Sequence, residues 1–521
     1  MKKTFILLLC MSTLRLLAQD VKPNINWQLQ DPEADKVYGA GVERAYELLK
    51  GRTGKEVIVA VIDGGTDIMH EDLQANIWTN TAEIPGNGID DDRNGYVDDV
   101  HGWNFLGGKD GNIKYEGTEL ARMYHKYKKK YGLRDSTGLT SGERIEYREY
   151  TKVKARFIKE QNETNQQLMV ISELNTLIEN VKKTNNGVLT RRAVKKYKAT
   201  DDREKAFKKG LKLALLLTGK PAELEKEISE GYTQLSNLSK YNSLNTDSIR
   251  IAVVGDDPDN AYQHYYGNSD VTGPDALHGT HVAGIIGAVR NNGIGINGVA
   301  DHIKLMIIRA VPDGDERDKD VANAIRYAVN NGATVINMSF GKYYSPYKAQ
   351  IDSAIQYAAD HDVLMIHAAG NESKNKDVEN SYPMNELNNG TKTNNWIEVG
   401  ANDRKKGSDL VATFSNYGKT KLDLFAPGMN IYSTIPNNKY VAESGTSMAA
   451  PVTTGVAALI RSYFPELKAS EVKEVMMMTV TPYSKKVKVP GTKKNKALLK
   501  DMCVSGGIVN AYSAVKYLLK K

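Results

Sequence analysis

Glu443-Ser444-Gly445-Thr446-Ser447-Met448-Ala449-Ala450-Pro451 runs straight into the apolar stretch Val452 to Ile460. A serine bracketed by small residues, directly ahead of a Val/Ala/Leu helix, sits where a helix's unpaired amides gather and another backbone can approach closely. That is a position for a nucleophile. Ser and Thr also cap helices for structural reasons alone, so what Ser447 does is decided by what accompanies it.

Two other stretches accompany it. His278-Gly-Thr-His-Val-Ala-Gly284 opens a helix with an imidazole in its first turn. Val57-Ile-Val-Ala-Val-Ile-Asp63 is a buried-strand pattern ending in a carboxylate before Gly64-Gly65. Asp, His and Ser in this chain order form one of the unrelated arrangements in which a Ser-His-Asp triad occurs. With these three segments the sequence resembles the subtilisin-like serine peptidases (subtilases, S8 family), over residues near 27 to 105 and 250 to 515. The resemblance implies a subtilisin-like α/β fold: a mostly parallel twisted sheet flanked by helices. It also implies an exported serine endopeptidase that hydrolyses peptide bonds through an acyl-enzyme.

Spacing along the chain supports that fold. Apolar strands alternate with amphipathic helices: Lys304 to Ala310, the helix Asp320 to Asn330, Val335 to Met338, the helix Gln350 to Ala359, then Val363 to Ala368. Functional groups are expected at the carboxyl ends of these strands. Asp63 and His278 are about 215 positions apart, several times the separation usual in the family, so a large helical insertion stands between the two motifs. The expected organisation is a signal peptide over 1–18, a catalytic domain over 19–105 and 250–521, and a basic helical insertion over 106–249.

The resemblance assigns roles. His278 is the base that takes the Ser447 proton, a task suited to a neutral imidazole, and Asp63 holds the ring's tautomer. Asn371, ending His367-Ala368-Ala369-Gly370-Asn371, matches the family's oxyanion asparagine, with the Ser447 N–H as second donor. Ser339-Phe340-Gly341 matches the segment that pairs with a substrate backbone, and with Ala368-Ala369-Gly370 it walls the primary specificity pocket. The pocket floor is expected around Asn380-Ser381-Tyr382-Pro383, favouring uncharged or apolar side chains. His278 and His281 lie one helical turn apart, but no third ligand is near, so no catalytic metal is expected.

A structural calcium is expected. Asp90, Asp92 and Asn94 alternate, Gly95 follows, then come Tyr96 with its carbonyl, Asp98 and Asp99. Hard oxygen donors around a glycine kink open an EF-hand-type loop, although His101 stands where the closing glutamate would be. Asp72 matches a second calcium position of the family, with Arg290 to Gly295 as the facing loop, one residue longer than the pattern.

The insertion is polar with apolar stripes: Leu168, Ile171, Leu174, Ile178 and Val181, and again Leu224, Ile228, Leu235 and Leu238. Such stripes need partners, most simply one another. Residues 121–220 carry 25 Lys and Arg against 11 Asp and Glu, a surplus of +14; the whole 521-residue chain is +7, which leaves −7 for the rest. The asymmetry fits contact with an anionic surface, although runs such as Lys128-Lys129-Lys130 also serve as solvated helix faces. No nucleic-acid module is recognisable, so the expected partners are protein or peptide substrates.

Lys2 and Lys3, the apolar run from Phe5 to Leu9 and the exit at Leu17-Ala18 read as a secretory signal, placing the protein in the periplasm or outside the cell. Removal of Cys10 leaves Cys503 alone, so no internal disulfide is expected. No later stretch has the length and apolarity of a membrane span. The segment resembling the start of the catalytic domain follows the signal almost at once, without the family's usual prodomain. A rival reading makes the chain a non-catalytic envelope-binding or adhesion scaffold on the same fold.

Overall fold

The computed structural model describes residues 25–521. The expected signal segment, residues 1–18, lies outside them. Two compact units appear, one of residues 115–246 and one formed by residues 25–114 with 247–521.

The first unit is helical: Glu119–Tyr131, Ser141–Lys183, Arg191–Lys196, Asp202–Thr218 and Pro221–Ser243. Thr140 starts the 43-residue helix with a capping box, its side chain accepting from the Glu143 amide while Glu143 reaches back. The two stripes do find each other. Ile178 and Val181 are buried with Leu211, Leu215, Leu224 and Ile228 in one cluster, with Ile171 and Leu174 packed against it. Leu235 and Leu238 stay half-buried. A Cβ on Gly231 would sit 2.7 Å from Ile171 Cδ1, so the bare glycine lets the long helices approach closely.

In the second unit, a nine-stranded sheet comprises β1 (Val57–Asp63), β2 (Gly102–Asn104), β3 (Ile303–Arg309), β4 (Val335–Met338), β5 (Leu364–Ala368), β6 (Trp396–Asn402), β7 (Leu424–Pro427), β8 (Thr481–Pro482) and β9 (Gly507–Ile508), in the order β8-β9-β7-β6-β5-β4-β1-β3-β2. Only the β8–β9 pair is antiparallel. Successive side chains of β1 enter different cores. Val57, Val59 and Val61 pack with the helices Leu277–Gly287 and Thr446–Tyr463, while Ala60 and Ile62 pack with Asp318–Asn330 and Lys348–Asp360. Both faces are covered, which is why the strand is apolar throughout rather than alternating. Within Val100 to Phe105 only Gly102–Asn104 forms the strand β2, and Ile249 to Val253 belong to a short helix, Asp247–Val253. Leu106 and Ile113 are buried in the sheet's second core. Cys503, buried and unpaired, has its thiol pushed up to about 11 by burial.

This topology positions the site. From β3 the chain crosses to β4 on the other side of β1, so the strand order reverses around β1, the kind of switch point at whose carboxyl ends α/β sheets place their functional groups. Asp63 ends β1, Ser339 follows β4, and Ala369 to Asn371 follow β5.

Candidate active site

Asp63 and His278 meet. Asp63 is 3 % exposed, and His278 Nδ1 lies 2.8 Å from Oδ1 and 3.0 Å from Oδ2, while the Gly64 amide also donates to Oδ1 at 2.7 Å. The helix bearing His278 can lie this near the Asp63 turn because Gly279 has no side chain: a Cβ there would stand 2.2 Å from Gly65 O. Burial works to lower the His278 pKa, but the Asp63 charge and hydrogen bond, with Glu443 and Asp275 beyond, outweigh it and hold it above 6.5. The side chain is 45 % exposed, so solvent screens part of this attraction. Glu443 and Asp275 have no motif spacing that would mark them in the sequence.

His281 is different. It is fully buried, its Nε2–H donates to Val441 O at 3.1 Å, and burial lowers it to about 4, so it stays neutral within the fold.

Ser447 stands in the first turn of the Thr446–Tyr463 helix, which packs on the His278 helix. Its hydroxyl donates to Ser339 O at 3.1 Å, and the Ser339 hydroxyl donates back to Ser447 O at 3.0 Å. Asn337 Nδ2 donates to the Ser339 hydroxyl in turn. Asn371 Oδ1 accepts from the Thr446 amide at 2.9 Å and the Thr446 hydroxyl at 3.1 Å, which turns Nδ2 the other way. The point where a Gly445 Cβ would stand lies 3.6 Å from Asn371 Nδ2 and 3.6 Å from Ser447 N, so the two donors flank one small space. Ser447 N is one of the first-turn amides that no helical carbonyl reaches.

Ser339-Phe340-Gly341 leads into Lys342, which pairs with Tyr382 through Lys342 N to Tyr382 O at 3.0 Å and Tyr382 N to Lys342 O at 2.8 Å. The segment read as the pocket floor is thus joined to the wall. Behind it lies a charged group the motifs did not reveal. His367 Nδ1 is 3.0 Å from both Glu398 oxygens, Lys376 Nζ is 2.6 Å from Glu398 Oε1, and Trp396 Nε1 donates to Oε2 at 2.9 Å. Lys376 also donates to the Ser381 hydroxyl. Burial would raise the Glu398 carboxyl, but His367 and Lys376 outweigh it and hold it at about 2. The carboxylate is ionised and already committed to these partners.

The acidic loop folds around Glu83, which lies outside the alternating pattern and accepts the amides of Asp91, Asp92 and Asp98. Glu83, Asp90 and Asp92 each present an oxygen within 4.8 Å of the others. That spread matches one cation with oxygen ligands at about 2.4 Å, as for calcium. The remaining residues read as ligands are placed variously. Asn94 Oδ1 accepts from the Tyr96 amide, and its Nδ2 donates to Asp92 and Asp99. The Tyr96 ring is buried against Trp103 and Tyr327, leaving only its backbone carbonyl as a donor to an ion. Asp98 turns away, its carboxylate taking the amides of Gly86, Asn87 and Gly88. Burial pushes Asp99 up to about 6, countered by bonds from Tyr327, Asn94 and Asn80. Asp72 lies outside this cluster. It is fully buried and accepts from Asn292 Nδ2 at 2.7 Å, the Ile296 amide at 2.9 Å and Tyr440 OH at 3.3 Å.

The doubly covered, mostly parallel sheet thus carries an Asp–His pair and a helix-start serine towards its carboxyl edge. Residues 54–506 match the model of the subtilase family (peptidase S8), and the chain belongs to that family. It is 41 % identical over 187 residues to a thermophilic serine proteinase of Bacillus sp. (strain AK1), covering 36 % of this chain and 42 % of that one. It is 36 % identical over 205 residues to subtilisin DY of Bacillus licheniformis, covering 39 % of this chain and 70 % of that one. The chain thus spans less than half the length of the first of these relatives. Among solved structures, a protease from Pseudoalteromonas arctica aligns over 95 % of this chain and 98 % of its own, at 20 % identity and a TM-score of 0.49.

Proposed function

We propose that the chain is an exported serine endopeptidase in which Ser447, His278 and Asp63 act as nucleophile, base and orienting carboxylate. One observation supports the reading: Asp63 is hydrogen-bonded to His278, while Ser447 N and Asn371 Nδ2 each stand 3.6 Å from the point a Gly445 Cβ would occupy. A peptide lies along Ser339-Phe340-Gly341 as an added strand and sends one side chain between that segment and Ala368-Ala369-Gly370. The Ser447 hydroxyl leaves Ser339 O, turns to His278 Nε2, and attacks the carbonyl carbon as its proton passes to the ring. The resulting O⁻ is met by Asn371 Nδ2 and Ser447 N–H. His278 then gives the proton to the leaving amine as the C–N bond breaks. Water, deprotonated by the same ring, releases the acyl group and restores the Ser447 hydroxyl. A fluorophosphonate should label the folded protein at Ser447 alone. Folded protein that stays unlabelled would instead support the binding-scaffold reading.

Activity depends on neutral His278. Because Asp63 raises its pKa, the rate should climb with pH through a midpoint on the alkaline side of 6.5. A pH profile of kcat/KM that is flat between about 6 and 8 would remove His278 from the role of base.

Glu83, Asp90 and Asp92, with the Tyr96 carbonyl, would hold calcium. The ion supplies positive charge that three neighbouring carboxylates otherwise lack, and so secures the turn before β2. Binding to the folded state alone contributes about 2.7 kcal/mol at a hundredfold excess over Kd. Calcium should therefore raise Tm by several degrees and a chelator reverse it. Glu83→Gln should remove most of that difference; an unchanged calcium response in this variant would discard the site.

Export follows from the sequence of residues 1–18. Among the described residues no helix is long and apolar enough to cross a membrane.

A further inference from the structure

Residues 188–220 carry eleven Lys and Arg against three Asp and Glu. They form the helices Arg191–Lys196 and Asp202–Thr218, fastened into one corner: Arg191 Nε donates to Leu215 O at 2.9 Å, and Lys208 Nζ reaches the carbonyls of Lys195 and Tyr197. Ala193, Val194, Leu211 and Leu215 fill the core behind it. Phe207 and Ala214 of the second helix pack against the same core.

Leu216 and Leu217 of the same helix are exposed instead. At about 100° per residue, Lys205, Lys209, Lys212 and Leu216 form one stripe about 110° round the helix from Leu211 and Leu215, and Leu217 lies about as far round on the stripe's other side. Leu216 is 67 % exposed, Leu217 66 % and Val188, in the turn before Arg191, 56 %. Nothing in the described chain covers them. Around them, Arg192, Lys195, Lys196, Lys198, Lys209 and Lys212 are exposed, and none has a carboxylate partner among the described residues. Elsewhere on this unit some surface cations are paired, as in Arg156–Glu160 and Lys182–Glu225, while others such as Lys129 and Lys154 have no carboxylate partner among the described residues. On this corner six such cations lie beside the exposed Leu216, Leu217 and Val188.

The geometry points to this corner as a docking face for an anionic phospholipid surface, with the lysines against headgroups and Leu216 and Leu217 entering the interface. A soluble polyanion would engage the lysines alone and leave the leucines in water. A bilayer satisfies both, because anionic charge there directly overlies an apolar layer. The proposal is independent of the peptidase reading, since a protein without catalytic activity would dock equally well.

The test is sedimentation of the full chain with phosphatidylglycerol vesicles and with phosphatidylcholine vesicles, using wild type and Ser447→Ala side by side. Both proteins should bind the anionic vesicles at least about tenfold more tightly, with weakening in high salt. Lys209→Glu with Lys212→Glu should lower that binding at least tenfold. Leu216→Ser with Leu217→Ser should lower it severalfold with the charge unchanged. Leu216→Trp should give a blue-shifted emission only with the anionic vesicles. All these positions are exposed, and an unchanged melting curve verifies that each variant folds. Equal binding to both vesicles, or no binding at low salt, overturns the proposal. So does undiminished binding of the leucine variant, or a Leu216→Trp emission that does not move, either of which would leave only a charge contact with polyanions.

Discussion

Ser447→Ala should lower kcat/KM on a peptide substrate by on the order of 10⁶, the loss that follows when the serine of a working triad is removed. The hydroxyl supplies the only bond formed to the substrate carbon, so neither base nor oxyanion donors can act through it once it is gone. The Asn371 amide and the Ser447 N–H remain, because Thr446 holds the first and the second belongs to the backbone. A residual acceleration of about 10³ to 10⁴ over water should therefore persist. Stability should barely change. The lost contact is one neutral bond to Ser339 O at 3.1 Å, worth about 1 kcal/mol. Initial rates on a peptide, with a melting curve on the same sample, test both halves. A variant within tenfold of wild type would place the nucleophile elsewhere.

Asp63→Asn should cost about 10⁴ in kcat with KM little altered. Asp63 is 3 % exposed and lies within 3.0 Å of His278 Nδ1 through both oxygens, so only an acceptor there keeps the proton on Nδ1 and Nε2 free to receive another. An asparagine of the same shape can present its N–H₂ to Nδ1 and select the opposite tautomer. The charge matters as well. Burial acts to lower the His278 pKa, and Asp63 is the main influence raising it, so the residual activity should show its pH midpoint moved down. A variant with low kcat and an unmoved midpoint would mean that Asp63 shapes the turn at Gly64 but does not govern the imidazole.

Much of the architecture was readable because its signals are local. A strand covered on both faces must be apolar along its length, so the six residues Val57 to Ile62 mark a central strand without any knowledge of its neighbours. The stripes at Ile171, Leu174, Ile178 and Val181, and at Leu224 and Ile228, likewise announced helices that bury one side each. Helix starts at His278 and Ser447 follow from small residues and the apolar segments behind them. The acidic alternation from Asp90 marked a loop rich in oxygen donors, but not which of them converge.

The tertiary structure decided what depends on direction and on distant partners. Glu83 joins Asp90 and Asp92 through the return of the chain, which no spacing rule encodes. Asp98, two residues after Tyr96, leaves the cluster because its backbone adopts φ 54° and its carboxylate finds three amides at Gly86 to Gly88. Glu398 lies under the specificity walls only because β6 aligns it with His367 on β5. The outward position of Leu216 likewise follows from which face of its helix Leu211 and Leu215 claim. Composition and periodicity determine which elements form, since each depends on neighbours a few residues away. Which side chains share a space is set by sheet register and backbone turns, where a single residue's shift reverses a side chain's direction.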